Sequence, residues 1–230
     1  MRGLGTAVNV LTVVAGTGAG VVLGGRLAER TRATVLSGVG LVVLAVGVQS
    51  FLETRNAVFP IVSMALGGLI GDALGIEERL AAVGQALRRR FATRSSRSSF
   101  VEGFVTASLT FCIGPLTVLG SVADGVRGDA ELLVVKSALD GTVAVAYAAA
   151  MGIGVGFAAL TVAVVQGGLT VASAGLGDLL TDRMVDELTA TGGVLILGIG
   201  LRLLDVKRLP VASYLPALVL APVLVGLFAR

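Results

Sequence analysis

The stretch from Leu132 to Leu176 reads LLVVKSALDGTVAVAYAAAMGIGVGFAALTVAVVQGGLTVASAGL, and Lys136 and Asp140 are its only charged residues. A helix crossing a bilayer needs about 20 mainly apolar residues. This run is about twice that, so it predicts two spans joined by a tight reversal. The Met151-Gly-Ile-Gly-Val-Gly156 segment, with a glycine at every second position, is the place for the turn. A soluble chain of this size leaves much of its surface in water and could not hide such a run.

Working outward, the same length rule predicts spans at Leu4–Gly25, Val35–Leu52, Ala57–Ile76 and Phe100–Gly120, and after the central pair at Thr189–Leu204 and Pro210–Phe228. The expected fold is all-α, a polytopic transmembrane bundle of about eight spans, or seven if one Gly-rich segment is re-entrant. It forms one transmembrane domain over 1–230. Residues 1–76 hold the first three spans, 77–99 a cytoplasmic amphipathic helix and connector, 100–151 the central two spans, and 152–230 the last three. Composition agrees: 14% of residues are charged, where soluble domains carry about 25%. The first apolar stretch follows a thin basic start, Arg2, and runs too far for a cleavable signal, so it reads as a span.

Loop charges orient the spans. Arg26, Arg30 and Arg32, then Arg79, Arg88, Arg89, Arg90, Arg94 and Arg97, then Arg202, Lys207 and Arg208 fall in odd-numbered connections; these are 12 of the 18 basic residues. The other side carries Arg2, Arg55, Arg127, Arg183 and Arg230, with most loop acids: Asp124, Asp129, Glu131, Asp178, Asp182, Asp186 and Glu187. Basic residues mark the cytoplasmic side, so a multi-pass membrane protein with both termini outside is expected. After the third span, Ile76, Leu80, Val83 and Leu87 share one helical face opposite Glu77, Glu78, Gln85 and Arg88 to Arg90. That pattern fits a surface helix on anionic headgroups. Thr93 to Ser99 reads as a polar connector.

Composition also excludes functions. With no His, there is no His-based nucleophile activation or zinc ligation. Cys112 is the lone cysteine, so no intramolecular disulfide exists. The basic residues lie between apolar runs and Trp is absent, so nucleic acid is not an expected partner. No phosphate loop or nucleotide fingerprint occurs. Neither an enzyme nor a cofactor is expected, and the residues do not identify a metal. The partners are a lipid bilayer and a small ion or solute.

Displacing the chain by 153 positions aligns Leu41-Val-Val-Leu-Ala-Val-Gly47 with Val194-Leu-Ile-Leu-Gly-Ile-Gly200, and Gly24, Glu29 and Arg30 with Gly177, Asp182 and Arg183. The first three spans would then echo the last three in opposite orientation, the inverted repeat common in secondary transporters.

Several spans carry polar or small residues in register. Gly16, Gly20 and Gly24, and likewise Gly67, Gly71 and Gly75, are four apart, the spacing of close helix packing; a homodimer is one reading of it. In the fourth span Glu102, Thr106, Thr110, Gly114, Thr117, Ser121 and Asp124 step by three or four and share a face of one continuous helix. That face is either interhelical glue or a hydrated path. Pro115 in mid-span leaves the Phe111 carbonyl without its helical donor, which fits either a packing kink or an ion ligand. Lys136 and Asp140, four apart, can pair inside the fifth span. Asn9 and Gln166 are amides well inside spans, suited to interhelical hydrogen bonds or to the path.

Several strings resemble the YdfK/YqgA family of uncharacterised bacterial membrane proteins: Gly5-Thr-Ala-Val-Asn9, Phe100-Val-Glu-Gly-Phe-Val-Thr-Ala-Ser-Leu109, Phe111-Cys-Ile-Gly-Pro115, Leu119-Gly-Ser-Val-Ala-Asp-Gly125, Lys136-Ser-Ala-Leu-Asp-Gly141, Gln166-Gly167, Gly192-Gly-Val-Leu-Ile-Leu-Gly-Ile-Gly200 and Leu215-Pro-Ala217. The resemblance covers nearly the whole chain. It implies a protein of the bacterial cytoplasmic (inner) membrane, for which a sodium channel or pump has been suggested. The family often has Ala or Met where Pro115 stands, and Asn where Ser213 stands. The expected function is a transporter or channel for a small ion, with a cation the better match because the polar groups offer oxygens. Its path would run along the fourth and fifth spans. The alternative is a non-transporting scaffold or signalling protein acting through the glycine stripes and the basic helix.

Overall fold

The computed structural model describes residues 2–91, 99–173 and 180–228, and every regular element among them is helical. In chain order these are α1 (Leu4–Gly24), α2 (Glu29–Phe51), α3 (Val58–Ala73), α4 (Ile76–Phe91), α5 (Phe100–Cys112), α6 (Pro115–Arg127), α7 (Glu131–Met151), a 3-10 turn (Ile153–Phe157), α8 (Ala158–Ala172), α9 (Asp182–Leu203), a second 3-10 turn (Val211–Tyr214) and α10 (Pro216–Phe228). Among the described residues six segments are long and apolar enough to cross a membrane, and eight are if each of two bent helix pairs counts as one span. The central reversal falls at Met151–Gly156, as the glycines predict. Residues 92–98, which are all of the expected Thr93 to Ser99 connector but Ser99, and Gly177, Asp178 and Arg230 lie outside the described residues.

Four expectations need correction. The third span is one helix, α3, followed by the expected amphipathic helix α4, but its glycine stripe is shorter than expected, and the fourth span is not one straight helix. α3 and α4 bend by 55°, and α5 and α6 by 61°. Gly75 has φ +61° and its N–H bonds the Asp72 carbonyl, so it ends α3 rather than extending the Gly67/Gly71 stripe. Gly114 has φ +143°, a region open to glycine, and stands before a proline that starts α6. The polar residues from Glu102 to Asp124 therefore do not share the face of one helix.

The other two corrections concern loops. Arg30 and Arg32 are inside α2, which starts at Glu29. Asp182, Arg183, Asp186 and Glu187 are inside α9, where the Thr181 hydroxyl accepts the Met184 N–H as a cap. Charge alone made these stretches look like loops.

The chain condenses into two compact units. The first takes residues 1–38, 81–112 and 116–177, and the second 39–80, 113–115 and 178–230. In the first, α1 lies along α7, and the Gly16/Gly20/Gly24 face meets the Gly141, Val145 and Ala149 carbonyls. A Cβ at these positions would collide with backbone, so the stripe is consumed by packing within the chain. α4 packs through Gly84 on Val101 and Phe104, whereas Val83 of its expected apolar face is 51% exposed.

In the second unit α3 packs on the α10 segment, Gly67 against Ala217 and Gly71 against Ser213. The second half of α2 packs on α9, with Gly47 near Leu197 and Gly193, Gly200 near Leu44, Gly40 near Leu204, and Gly193 near Phe51. Outward positions of each unit are apolar: Leu69 in the second is 70% exposed, and Val164 and Val171 in the first are 74 and 84% exposed. Such a surface suits acyl chains, not water.

Candidate functional site

The polar interior of the first unit is built by four helices. α1 contributes Asn9, α7 contributes Lys136 and Asp140, α8 contributes Gln166, and α5 contributes the Phe111 carbonyl. Asn9 and Gln166 are 0 and 1% exposed, Lys136 and Asp140 5 and 8%. The Asn9 amide donates to Asp140 Oδ2 and to Gln166 Oε1, each at 2.9 Å. Gln166 in turn donates to the Thr6 hydroxyl at 3.3 Å. Lys136 donates to the Asp140 carboxylate one turn away and to the Phe111 carbonyl at 2.7 Å.

Each contact has a local cause. The Phe111 carbonyl would bond the N–H four residues on, but that residue is Pro115 and has none. The Lys136 ammonium replaces it, helped by the Thr117 hydroxyl at 3.4 Å. An unpaired ion in this buried interior would be costly, so Lys136 and Asp140 neutralise each other. The carboxylate fixes the Asn9 amide: only the NH2 side can face Asp140. That leaves Asn9 Oδ1 buried without a partner. Among the described residues no three Asp, Glu, Cys or His side chains converge. The available oxygen donors are one carboxylate, two carboxamide oxygens and one backbone carbonyl.

The remaining path candidates are arranged differently. Thr110 donates to the Thr106 carbonyl at 2.8 Å and meets the Tyr147 hydroxyl at 3.2 Å, tying α5 to α7. Thr106 is buried and Glu102 is half-buried. No hydrogen bond among the described residues joins Glu102 to the cluster. Ser121 is buried with an unpartnered hydroxyl. Asp124 is 0% exposed and accepts the Gly3 N–H at 3.1 Å and the Gly5 N–H at 3.2 Å. It holds the start of α1, where the exposed helix amides favour an anion.

Sequence reasoning missed Thr6, Tyr147, the Ser108–Thr161 hydroxyl pair at 2.9 Å and Glu187. Thr6 could have been found, since it stands three residues before Asn9 on the same face. Glu187 was read as a loop acid, yet it is 0% exposed. It accepts the Thr54 hydroxyl at 2.6 Å, the Arg55 N–H at 2.9 Å and the Asn56 N–H at 3.0 Å.

Long apolar helices around a charged, buried polar cluster define an integral membrane protein of the multi-pass helical class. Residues 4–226 match the family described as a protein of unknown function, DUF554, and the chain belongs to that family. It is 29% identical to the uncharacterized membrane protein YdfK of Bacillus subtilis (strain 168) over 225 residues, 96% of this chain and 95% of that one. It is 32% identical to the uncharacterized protein YqgA of Escherichia coli (strain K12) over 221 residues, 95% of this chain and 94% of that one. No solved structure matches.

Proposed function

We propose that this protein is a membrane transporter or channel for a small cation, with Asn9, Asp140, Gln166 and the Phe111 carbonyl as the ion-binding groups. The observation that carries this reading is the position of Lys136. Its ammonium bridges a carboxylate and a carbonyl freed by a helix break, the two kinds of oxygen that bind a hard cation. Lys136 thus acts as a tethered substitute: a cation entering between Asp140 and Phe111 displaces it, and it returns when the ion leaves. A single carboxylate suits an ion of low charge. Broken helices at the midplane are where transporters place such sites.

Helix pairing supports an inverted repeat. Displaced by 153 positions, α1, α2 and α3 fall on α8, α9 and the Val211–Phe228 segment. Each packs antiparallel on its counterpart: Thr6 near Gly167 and Thr17 near Gly156; Gly40 near Leu204 and Gly47 near Leu197; Gly67 near Ala217 and Gly71 near Ser213. The contacts are also reciprocal. Gly47 meets Leu197 as Gly200 meets Leu44, and Gly40 meets Leu204 as Gly193 meets Phe51. The Asn9–Gln166 bond then lies where two repeat counterparts meet, the usual location of a transported ion.

Its bacterial relatives support a place in the bacterial inner membrane, and the basic connections support having both termini outside. The scaffold alternative needs free glycine faces, and Gly16, Gly20, Gly24, Gly67 and Gly71 are already covered within the chain. Purified protein in liposomes, loaded separately with Na+, K+ or Li+, tests the proposal. Wild type is expected to pass at least one of these ions, and Asp140→Asn to lower that flux roughly tenfold or more, a loss of one charge-assisted ligand. Equal flux through both proteins, or none through wild type, would end this reading.

A further inference from the structure

A second feature of the first unit plays no part in the ion site. Between α1 and α8 lies a cavity of about 570 Å³, walled by Val10, Val14, Gly18 and Val21 on one side and Ile153, Phe157 and Leu160 on the other. It opens outward, since Val14 and Leu160 are 52 and 55% exposed. Its volume is that of a pocket for a small organic ligand. One wall residue is polar. Thr17 is 4% exposed and its hydroxyl has no partner, although a helical threonine can ordinarily bond its own helix.

The groove has one charged end. Phe157 packs on Phe91 with ring centroids 5.1 Å apart, and the Arg90 guanidinium lies 5.8 Å from the Phe91 ring. Arg89 and Arg90 are both exposed at the end of α4. α1 ends at Gly24, just beyond Val21, and the exposed Arg26 follows. The opposite end of the groove, at Val10 and Ala163, is apolar.

We infer that this groove binds an anionic phospholipid. One acyl chain lies along Val10, Val14, Gly18 and Leu160, the Thr17 hydroxyl donates to the ester carbonyl, and the phosphate meets Arg26, Arg89 and Arg90. Charge complementarity selects the lipid: a basic cluster at the membrane surface attracts anionic headgroups, and an apolar slot in a bilayer is filled by a chain. The site does not depend on the ion-transport reading.

The test uses the full chain in detergent with phosphatidylglycerol, phosphatidylcholine of the same chains, and glycerophosphate as probes. Native mass spectrometry reads retained lipid and assembly size. Wild type is expected to retain phosphatidylglycerol roughly tenfold better than phosphatidylcholine. A Cβ at Gly18 meets nothing within 4 Å, so Gly18→Phe can fill the slot without disturbing the fold and should lower retention of both lipids roughly tenfold. Leu160→Trp, from the opposite wall, tests the same volume if Gly18→Phe fails to fold. Arg89→Gln with Arg90→Gln should abolish the preference between the lipids. Equal retention of the two lipids by wild type would overturn the proposal. So would undiminished phosphatidylglycerol in the filled variants, or glycerophosphate competing as well as intact lipid. A lipid-free dimer that Gly18→Phe converts to monomer would assign the groove to a second copy instead.

Discussion

Asp140 in the first unit and Glu187 in the second are both carboxylates buried in helices, and their partners differ in kind. Glu187 is held by two backbone N–H groups and a threonine hydroxyl. These donors belong to the chain entering α3 and cannot leave without opening that helix start. Asp124 of the first unit is used the same way at the start of α1. Asp140 is held by an ammonium on four rotatable bonds and by an amide. Its partner can swing away while every backbone hydrogen bond stays in place. Buried carboxylates in this protein therefore divide by donor: fixed amides make a structural anchor, and a movable cation makes a site that can exchange.

Removing the movable cation should have the largest effect. Lys136→Met leaves Asp140 charged, buried and held by the Asn9 amide, and is expected to cost about 3–5 kcal/mol, measured by unfolding in mixed micelles. Adding Asp140→Asn should restore most of that loss, because the stranded charge is gone. A double variant no more stable than the single one would mean that the pair is not the source of the cost.

Glu187→Gln comes next. It keeps an acceptor oxygen but turns an NH2 toward donors, at an expected cost of about 2–3 kcal/mol in the same assay. Flux per folded molecule in liposomes should stay at the wild-type level, in contrast to Asp140→Asn. A Glu187→Gln protein that is fully stable but transports poorly would reverse the division between anchor and site. The smallest effect is expected from Tyr147→Phe, which removes the interhelical bond to Thr110 and should lower stability by about 0.6 kcal/mol with little change in flux. A large loss of flux there would extend the ion path along α5.

Much of the fold could be read from apolar run length. The reversal at Met151–Gly156, the spans around it and the packing role of Gly16, Gly20, Gly24, Gly67 and Gly71 all follow from spacing. The free Phe111 carbonyl follows from Pro115, and the Lys136–Asp140 pair from a four-residue interval. Periodicity misled in the fourth span, because a 3.6-residue register assumes a helix that continues, and Gly114 with Pro115 breaks it.

The sequence by itself determined a bundle of membrane-length helices, since bilayer thickness fixes how long an apolar run must be. It also placed Lys136 and Asp140 one turn apart on a single helix. Only the tertiary structure decided which residues of different helices meet. Asn9 lies 131 positions from Asp140 and 157 from Gln166, and no local interval encodes those distances. The same folding step turned Glu187 from a loop acid into a buried cap, because a carboxylate takes its character from the donors that surround it.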